Sequence, residues 1–579
     1  MGRTESSLGK QTFQMRYVTR NQTLRGRWGY GNGGRYDRAV ITAQSGKGLV
    51  TTVGGETVTP APRWWRDPQL LVPIGAGVAY VLVLLIRLPG ILSSFYWYGD
   101  FPAALRLGDA IFHAGWGHGV QLRDQAGLAP LWIVGLLHQI SGSEVAGMSL
   151  GPAMMVASIW LMVVTARRVM QTSNAVLVGV LCVAAPPVVA WETLSPLAHG
   201  CTLLLTALCA WQLVTLSQRA VAYAAVASLA VGAVAGACVV SDTLSFAAAV
   251  VPWLLCACVL AVRRPERRGV LALTAGATCV SAVGIALVAH ANGIIANGIS
   301  APGVSTRGIG AGLGVAASTL GQMISGAWYR DSLPGVLTIA AFVLFTALIH
   351  VVVRMALGRN GGASAPRYMY VWFWVLSSAG LIAALCATGL GIQTSPVNYQ
   401  GHYLNGLWFA VAALLPIAVG LGRRRAIAVG LVACLALVSA AGIARLTADP
   451  FEGPDYVDGP QLTATLAELG VSHGYGGYWE SYSVAWHTDQ HVSVLPLQSC
   501  TDASGSTGLC RYEYAAPASF DMRPGPTFVI VLRGSCRNDD LCIDVSNLAV
   551  LPAPESVRTV GLLQVDVYAT DVFAGLPVA

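Results

Sequence analysis

Residues 70–92 read LLVPIGAGVAYVLVLLIRLPGIL, an apolar run broken by one charge, Arg87. As a helix rising 1.5 Å per residue it reaches about 34 Å, enough to cross the hydrocarbon core of a bilayer. Ten further apolar stretches follow, near 145–165, 173–190, 198–217, 220–240, 243–262, 269–289, 333–353, 368–391, 403–421 and 426–444. The stretch 129–140 is apolar but only about twelve residues long, too short to span, and reads as interfacial or re-entrant. The expected fold is therefore mainly α, a polytopic transmembrane bundle of about 11 spans.

Composition points the same way. The 579 residues are 54% hydrophobic and 11% charged, with a mean hydropathy of +0.59. A soluble globular chain carries about 25% charged residues. A chain this apolar cannot cover its surface with polar groups, so lipid is its expected solvent.

Arginines fix the expected orientation. Arg167 and Arg168, Arg219, the run 263–268, Arg354, Arg359 and Arg367, and the run 423–425 all fall in alternate loops. Placing these inside with the N-terminus satisfies the positive-inside rule loop by loop. The segments 93–144, 191–197, 241–242, 290–332, 392–402 and 445–579 then lie outside. The ends agree. Residues 1–66 hold 11 Arg/Lys against 3 Asp/Glu, and residues 447–579 hold 5 against 16. The basic head suits a cytoplasmic, membrane-adjacent segment better than a nucleic-acid arm. The expected divisions are a disordered basic segment 1–66, a membrane domain 67–446 and an extracytoplasmic α/β domain 447–579. The expected location is the plasma (inner) membrane, multi-pass.

Nine of the 13 cysteines sit in apolar stretches, where a free thiol packs as a small hydrophobe. Cys500, Cys510, Cys536 and Cys542 lie in the acidic tail. Their close spacing suggests two local disulfides, 500–510 and 536–542, in an oxidising compartment. In the tail, 459–469 reads as a helix stopped by Gly470, and strand-like runs follow at 491–497, 527–532, 548–551 and 564–568.

The only interior ionisable candidates are Arg87 near the end of the first span and His138 in the short stretch 129–140, which counts against an ion-coupled transporter. The first outer loop carries the chemistry. It opens with an aromatic cluster, Phe95-Tyr-Trp-Tyr98, followed by Asp100. Asp100 is placed to cap a surface helix with Pro102 in its first turn, and a capping aspartate can also act as a base. Asp109, His113 and His118 follow in the same loop.

At this point the chain resembles the GT-C class of membrane glycosyltransferases. The resemblance covers residues 70–445 and rests on an arrangement of elements: one span, then a long outer loop opening with an acidic residue, then Ala129-Pro-Leu-Trp132, then a span ending in Ala166-Arg-Arg168. The tail stretch Leu469-Gly-Val-Ser-His-Gly-Tyr-Gly-Gly-Tyr-Trp479 is similar to tails of actinobacterial-type members of the class.

The resemblance implies transfer of a sugar from a polyprenyl-phosphate-linked donor, with inversion, to an envelope glycan, lipid or protein. Asp100 takes the role of general base. Arg307, Arg330, His402 and Tyr403 become candidates for the lipid phosphate. His402-Tyr403 stands where relatives open a late span with Arg-Tyr, so phosphate binding there is expected to depend on pH. Glu192, Asp242, Asp109 and His113 are candidate pocket or acceptor residues, and each also reads as an ordinary polar cap at a span end. The class pattern shows two adjacent acidic residues where Asp100 stands alone, so a divalent cation, Mg or Mn, is left open. The competing reading is a transporter or flippase of a lipid-linked or apolar substrate. A scaffold presenting the tail is a third.

Overall fold

The structure is a computed structural model. It describes residues 68–95, 128–194, 200–218, 224–291, 306–328, 333–357, 364–388, 399–419, 425–446, 459–487, 491–501, 507–511, 525–534 and 543–573. Short pieces at 24–26, 39–41, 104–105, 108, 121–123, 295–297 and 331 complete the description. Two compact units result, Met1–Asp67 and Pro68–Ala579. In the first, strands β1 (Leu24–Gly26) and β2 (Ala39–Ile41) pair antiparallel.

The second unit opens with α1 (Pro68–Phe95), α2 (Leu128–Ser141), α3 (Glu144–Met148), α4 (Leu150–Val169), α5 (Thr172–Val183) and α6 (Pro187–Leu194). It continues through α7 (Gly200–Gln218), α8 (Ala224–Ser241), α9 (Val251–Arg263), α10 (Arg268–Ala291), α11 (Thr306–Ser325), α12 (Gly335–Leu357), α13 (Ala365–Thr388), α14 (Gly406–Val419) and α15 (Arg425–Arg445). Among the described residues nine helical stretches are long and apolar enough to cross a bilayer. The pair α5 and α6, bent by 78°, is long and apolar enough only when taken together, and α8 is a shorter apolar helix. Each expected span coincides with one of these elements. Large apolar side chains face outward along them, such as Ile86 and Val226 at 77% exposure and Val336 at 81%. Lipid tails, not water, accommodate such a surface.

Small residues let α8 and α10 approach closely. On α8, a Cβ at Gly232 would lie 2.6 Å from the Ala277 Cβ, and one at Gly236 would lie 2.6 Å from the Ser281 Cβ. Four-residue spacing of glycines lets two backbones approach inside a membrane, where apolar burial alone gives no drive to associate. The Ser281 hydroxyl, on α10, donates to the Ala233 carbonyl at 2.8 Å across that seam.

Contacts between span ends separate the bundle into two sides. The Arg87 guanidinium donates to the Ala444 carbonyl at 2.6 Å, capping the C-terminal end of α15 with a cation from α1. The C-terminal ends of the first and last of these helices therefore lie together. Arg168 bonds Thr215, and Arg263 lies 4.5 Å over the Tyr368 ring, so the arginine-bearing ends meet one another. On the other side the Ala129 amide donates to the Ser241 hydroxyl at 2.9 Å. There β3 (Gln121–Arg123) also pairs parallel with β4 (Ile295–Asn297), tying two long loops together.

The tail holds α16 (Gly459–Leu469), β5 (His473–Gly477), α17 (Tyr478–His487), β6 (Ser493–Thr501), β7 (Thr507–Arg511), β8 (Thr527–Leu532), β9 (Ser556–Val560) and β10 (Leu563–Tyr568). They form one sheet in the order β7-β6-β5-β8-β10-β9, with β6, β5 and β8 parallel. Residues of β8 are buried throughout. Phe528 and Ile530 pack with Leu462 and Val484 on one face, and Val529 and Val531 with Tyr475 and Phe573 on the other. Gly470 ends α16 at φ +63, as its sequence position implies.

The expected strand at 548–551 is instead a 3-10 turn, Val545–Val550. Asp544 accepts from the Ser546 amide at 3.0 Å, and its own amide donates to the Asn547 side chain at 2.8 Å. This capping box winds the chain before it can extend. The Tyr475 hydroxyl donates to Asp571 at 3.0 Å, so this aromatic side chain belongs to the domain's own core.

Candidate functional site

The site grows from a break in a span. Pro186-Pro187 follows α5, and proline offers no amide to the preceding turn and clashes with its carbonyl. The expected span 173–190 is therefore bent by 78°. Every residue of α6 is buried, because the bend carries it into the bundle. Trp191 packs edge-on against Trp328 at 5.5 Å between centroids. Glu192, next along, is only 5% exposed and lines a small pocket.

The opposite wall is the 3-10 turn Tyr399–Leu404 and the start of α14. Gly401 lets this turn pass close to α11, since a Cβ there would lie 2.3 Å from the Thr319 hydroxyl. His402, buried, and Tyr403 stack with ring centroids 3.8 Å apart. Both line the pocket, as does Asn405 one turn on.

A third wall comes from α7 and α13 through Thr202 and Ser377. Thr202 is held from behind. Its hydroxyl bonds Asp242 and meets the Ser245 hydroxyl at 2.6 Å. Asp242 also accepts from the Leu244 amide at 2.9 Å, which starts the chain into a π-helical turn, Phe246–Val250. Such turns inside α-helices are frequent at functional sites.

The structure thus gathers Glu192, His402 and Tyr403 around one pocket, with Asp242 one residue behind its wall. Asp100, Asp109, His113, Arg330, Cys536 and Cys542 lie outside the described residues, as do the side chains of Arg307 and Cys500. The backbone of Arg307 lies in the first turn of α11. Cys510 is disulfide-bonded. In the β6–β7 ladder Cys500 pairs with Gly508, which sets Cys510 on the diagonal. Asn405, Thr202 and Ser377 were not singled out from sequence. A polar residue opening the otherwise apolar stretch 406–419 was the available signal for Asn405.

Chemically the pocket joins a carboxylate, an amide, hydroxyls and an imidazole–phenol stack, above the apolar side chains of Leu381 and Phe409. Burial of Glu192, His402 and Asn405 within the bundle strengthens each polar contact made there. Among the described residues no group of three or more His, Cys, Asp or Glu side chains is arranged to hold a metal.

No family model matches the chain, and no curated protein matches it. Solved structures do. A crystal structure of ArnT from Cupriavidus metallidurans bound to undecaprenyl phosphate is 13% identical, with a TM-score of 0.49, covering 85% of this chain and 98% of that one. The apo form gives 11% identity and a TM-score of 0.46, covering 84% and 97%. The oligosaccharyltransferase of Archaeoglobus fulgidus, tethered to an acceptor peptide, gives 11% identity and a TM-score of 0.43, covering 75% of this chain and 64% of that one. These proteins are of the GT-C class that the sequence resembles.

Proposed function

We propose that this chain is a GT-C-type membrane glycosyltransferase. In this reading it moves a sugar from a polyprenyl-phosphate-linked donor to a cell-envelope acceptor on the extracytoplasmic side. The observation that supports it best is the pocket itself. It opens among span ends on the side away from the arginine-rich ends, which the positive-inside rule assigns to the outside. It sets hydrogen-bond donors for a phosphate, His402 and Tyr403, within one cavity with Glu192, an acceptor for hydroxyls. A lipid-linked sugar carries both kinds of group on one headgroup, and its chain belongs in the surrounding bilayer.

The reaction is a single displacement. An acceptor oxygen forms a bond to the anomeric carbon while the bond from that carbon to the phosphate oxygen breaks, with inversion. The acceptor proton passes to the Asp100 carboxylate. The electron pair of the broken bond stays on the lipid phosphate, where His402 and Tyr403 stabilise the added charge, with Arg330 and Arg307 as further candidates.

The test is sugar transfer by the purified protein in nanodiscs, using labelled polyprenyl-phosphate sugars and an envelope-glycan acceptor. Wild type transfers at least one sugar, and Asp100→Asn loses about a hundredfold or more, as removal of a general base requires. Equal rates would discard Asp100 as base. No transfer from any donor by a folded protein would discard the enzyme and favour the transporter.

A further inference from the structure

Resting on the sugar-lipid reading of this pocket, we propose that Asn405 is a specificity-determining residue that hydrogen-bonds the hydroxyls of the donor's sugar, in a subsite shared with Glu192. Asn405 is 6% exposed and lines the pocket. Neither its Nδ2 nor its Oδ1 has a hydrogen-bond partner among the described residues. Its backbone is engaged on both sides, the amide donating to the His402 carbonyl at 3.4 Å and the carbonyl accepting from the Trp408 amide at 3.1 Å. The side chain is thus held at the start of α14. A buried amide left without partners is destabilising, so the site is built for a partner from outside the chain.

The chemistry of that partner follows from what the amide offers. Side by side it presents two N–H donors and a carbonyl acceptor. Adjacent ring hydroxyls each donate and accept, and so satisfy both ends. A phosphate only accepts, and would leave Oδ1 facing negative charge. The Glu192 carboxylate in the same pocket likewise accepts from hydroxyls and repels phosphate. Phe409 and Leu381 offer an apolar surface of the kind that meets the C–H face of a sugar ring. His402 and Tyr403 at the same wall take the phosphate, so the first sugar, joined to that phosphate, lies within reach of Asn405.

The experiment is equilibrium binding to the full chain in nanodiscs. The probes are a polyprenyl monophosphate and the same lipid carrying glucose, mannose or arabinose. In wild type at least one sugar tightens binding over the bare lipid. Asn405→Leu abolishes that gain, a loss of about tenfold, and leaves bare-lipid affinity unchanged. If the leucine variant fails to fold, Asn405→Asp carries the test, because it keeps the shape and removes the donors. Equal binding of bare and sugar-bearing lipid by wild type would overturn the subsite. So would an equal loss for both lipids in the variants, which would assign Asn405 to the phosphate. Competition by a free acceptor oligosaccharide that Asn405→Leu removes would move the residue to the acceptor and also overturn it. A protein that discriminates sugars through Asn405 yet transfers none would sink the transferase and leave the subsite standing. Transfer unaffected by Asn405 would do the reverse.

Discussion

Replacing Asp242 separates two roles that the sequence left open, pocket ligand and structural cap. The residue is 5% exposed. It accepts from the Leu244 amide and from the Thr202 hydroxyl. Asp242→Ala deletes a helix-start cap, which costs about 0.5–2 kcal/mol. It also deletes a buried bond to an acidic side chain, about 1.5–3 kcal/mol, though the Ser245 hydroxyl retains Thr202 in part. The expected loss is about 2–4 kcal/mol of stability. Asp242→Asn keeps an oxygen for the Leu244 amide and should lose about 1 kcal/mol or less. The assay is SDS-induced unfolding of the protein in mixed micelles, with sugar-lipid binding measured alongside. Binding should fall with stability in the alanine variant and stay near wild type in the asparagine variant. An alanine variant as stable as wild type but unable to bind would refute the capping account and make Asp242 a ligand.

Gly236→Leu should lower the unfolding midpoint by forcing α8 off α10, at about 2 kcal/mol or more, whereas Gly276→Ala, where a Cβ meets nothing within 4 Å, should be harmless; equal midpoints would contradict the close-packed seam. In the tail, burial pushes the Asp566 carboxyl up, partly opposed by the hydrogen bond from Gln564. Because its folded pKa is raised, the stability it contributes is fully present below the ordinary carboxylate value of about 3.9 and is lost as pH rises through the raised value. Asp566→Asn should flatten that decline in protease resistance of the tail across the same range; an unchanged slope would refute the assignment. Cys510→Ser should destabilise the tail by about 2–4 kcal/mol, and Cys500→Ser should match it without adding to it if the two are bonded; a harmless Cys500→Ser would reject that pairing.

The bundle was legible because the apolar runs are long and the arginines sit at alternate ends, both local signals. The tail helix 459–469 was equally plain, since Gly470 marks its stop at positive φ. Three features were not local. The strand β5 reads His-Gly-Tyr-Gly-Gly, a poor strand former, and exists because β6 and β8 pair with it on both sides. Helix α11 has too little hydropathy to resemble a span, and it is placed by packing against α12 and α13. The pocket needed the Pro186-Pro187 bend to bring Glu192 opposite His402, residues 210 apart in the chain. Those prolines were visible, but the direction of the bend depends on what α6 packs against.

The most direct test of the account follows the lipid. Purified protein in sealed vesicles receives a polyprenyl-phosphate sugar labelled in both the sugar and the lipid, together with an envelope-glycan acceptor. The account predicts that bare polyprenyl phosphate appears in step with sugar on the acceptor, with the anomeric configuration inverted. Intact lipid-linked sugar crossing the bilayer, with no bare lipid released, would contradict it and establish transport in its place.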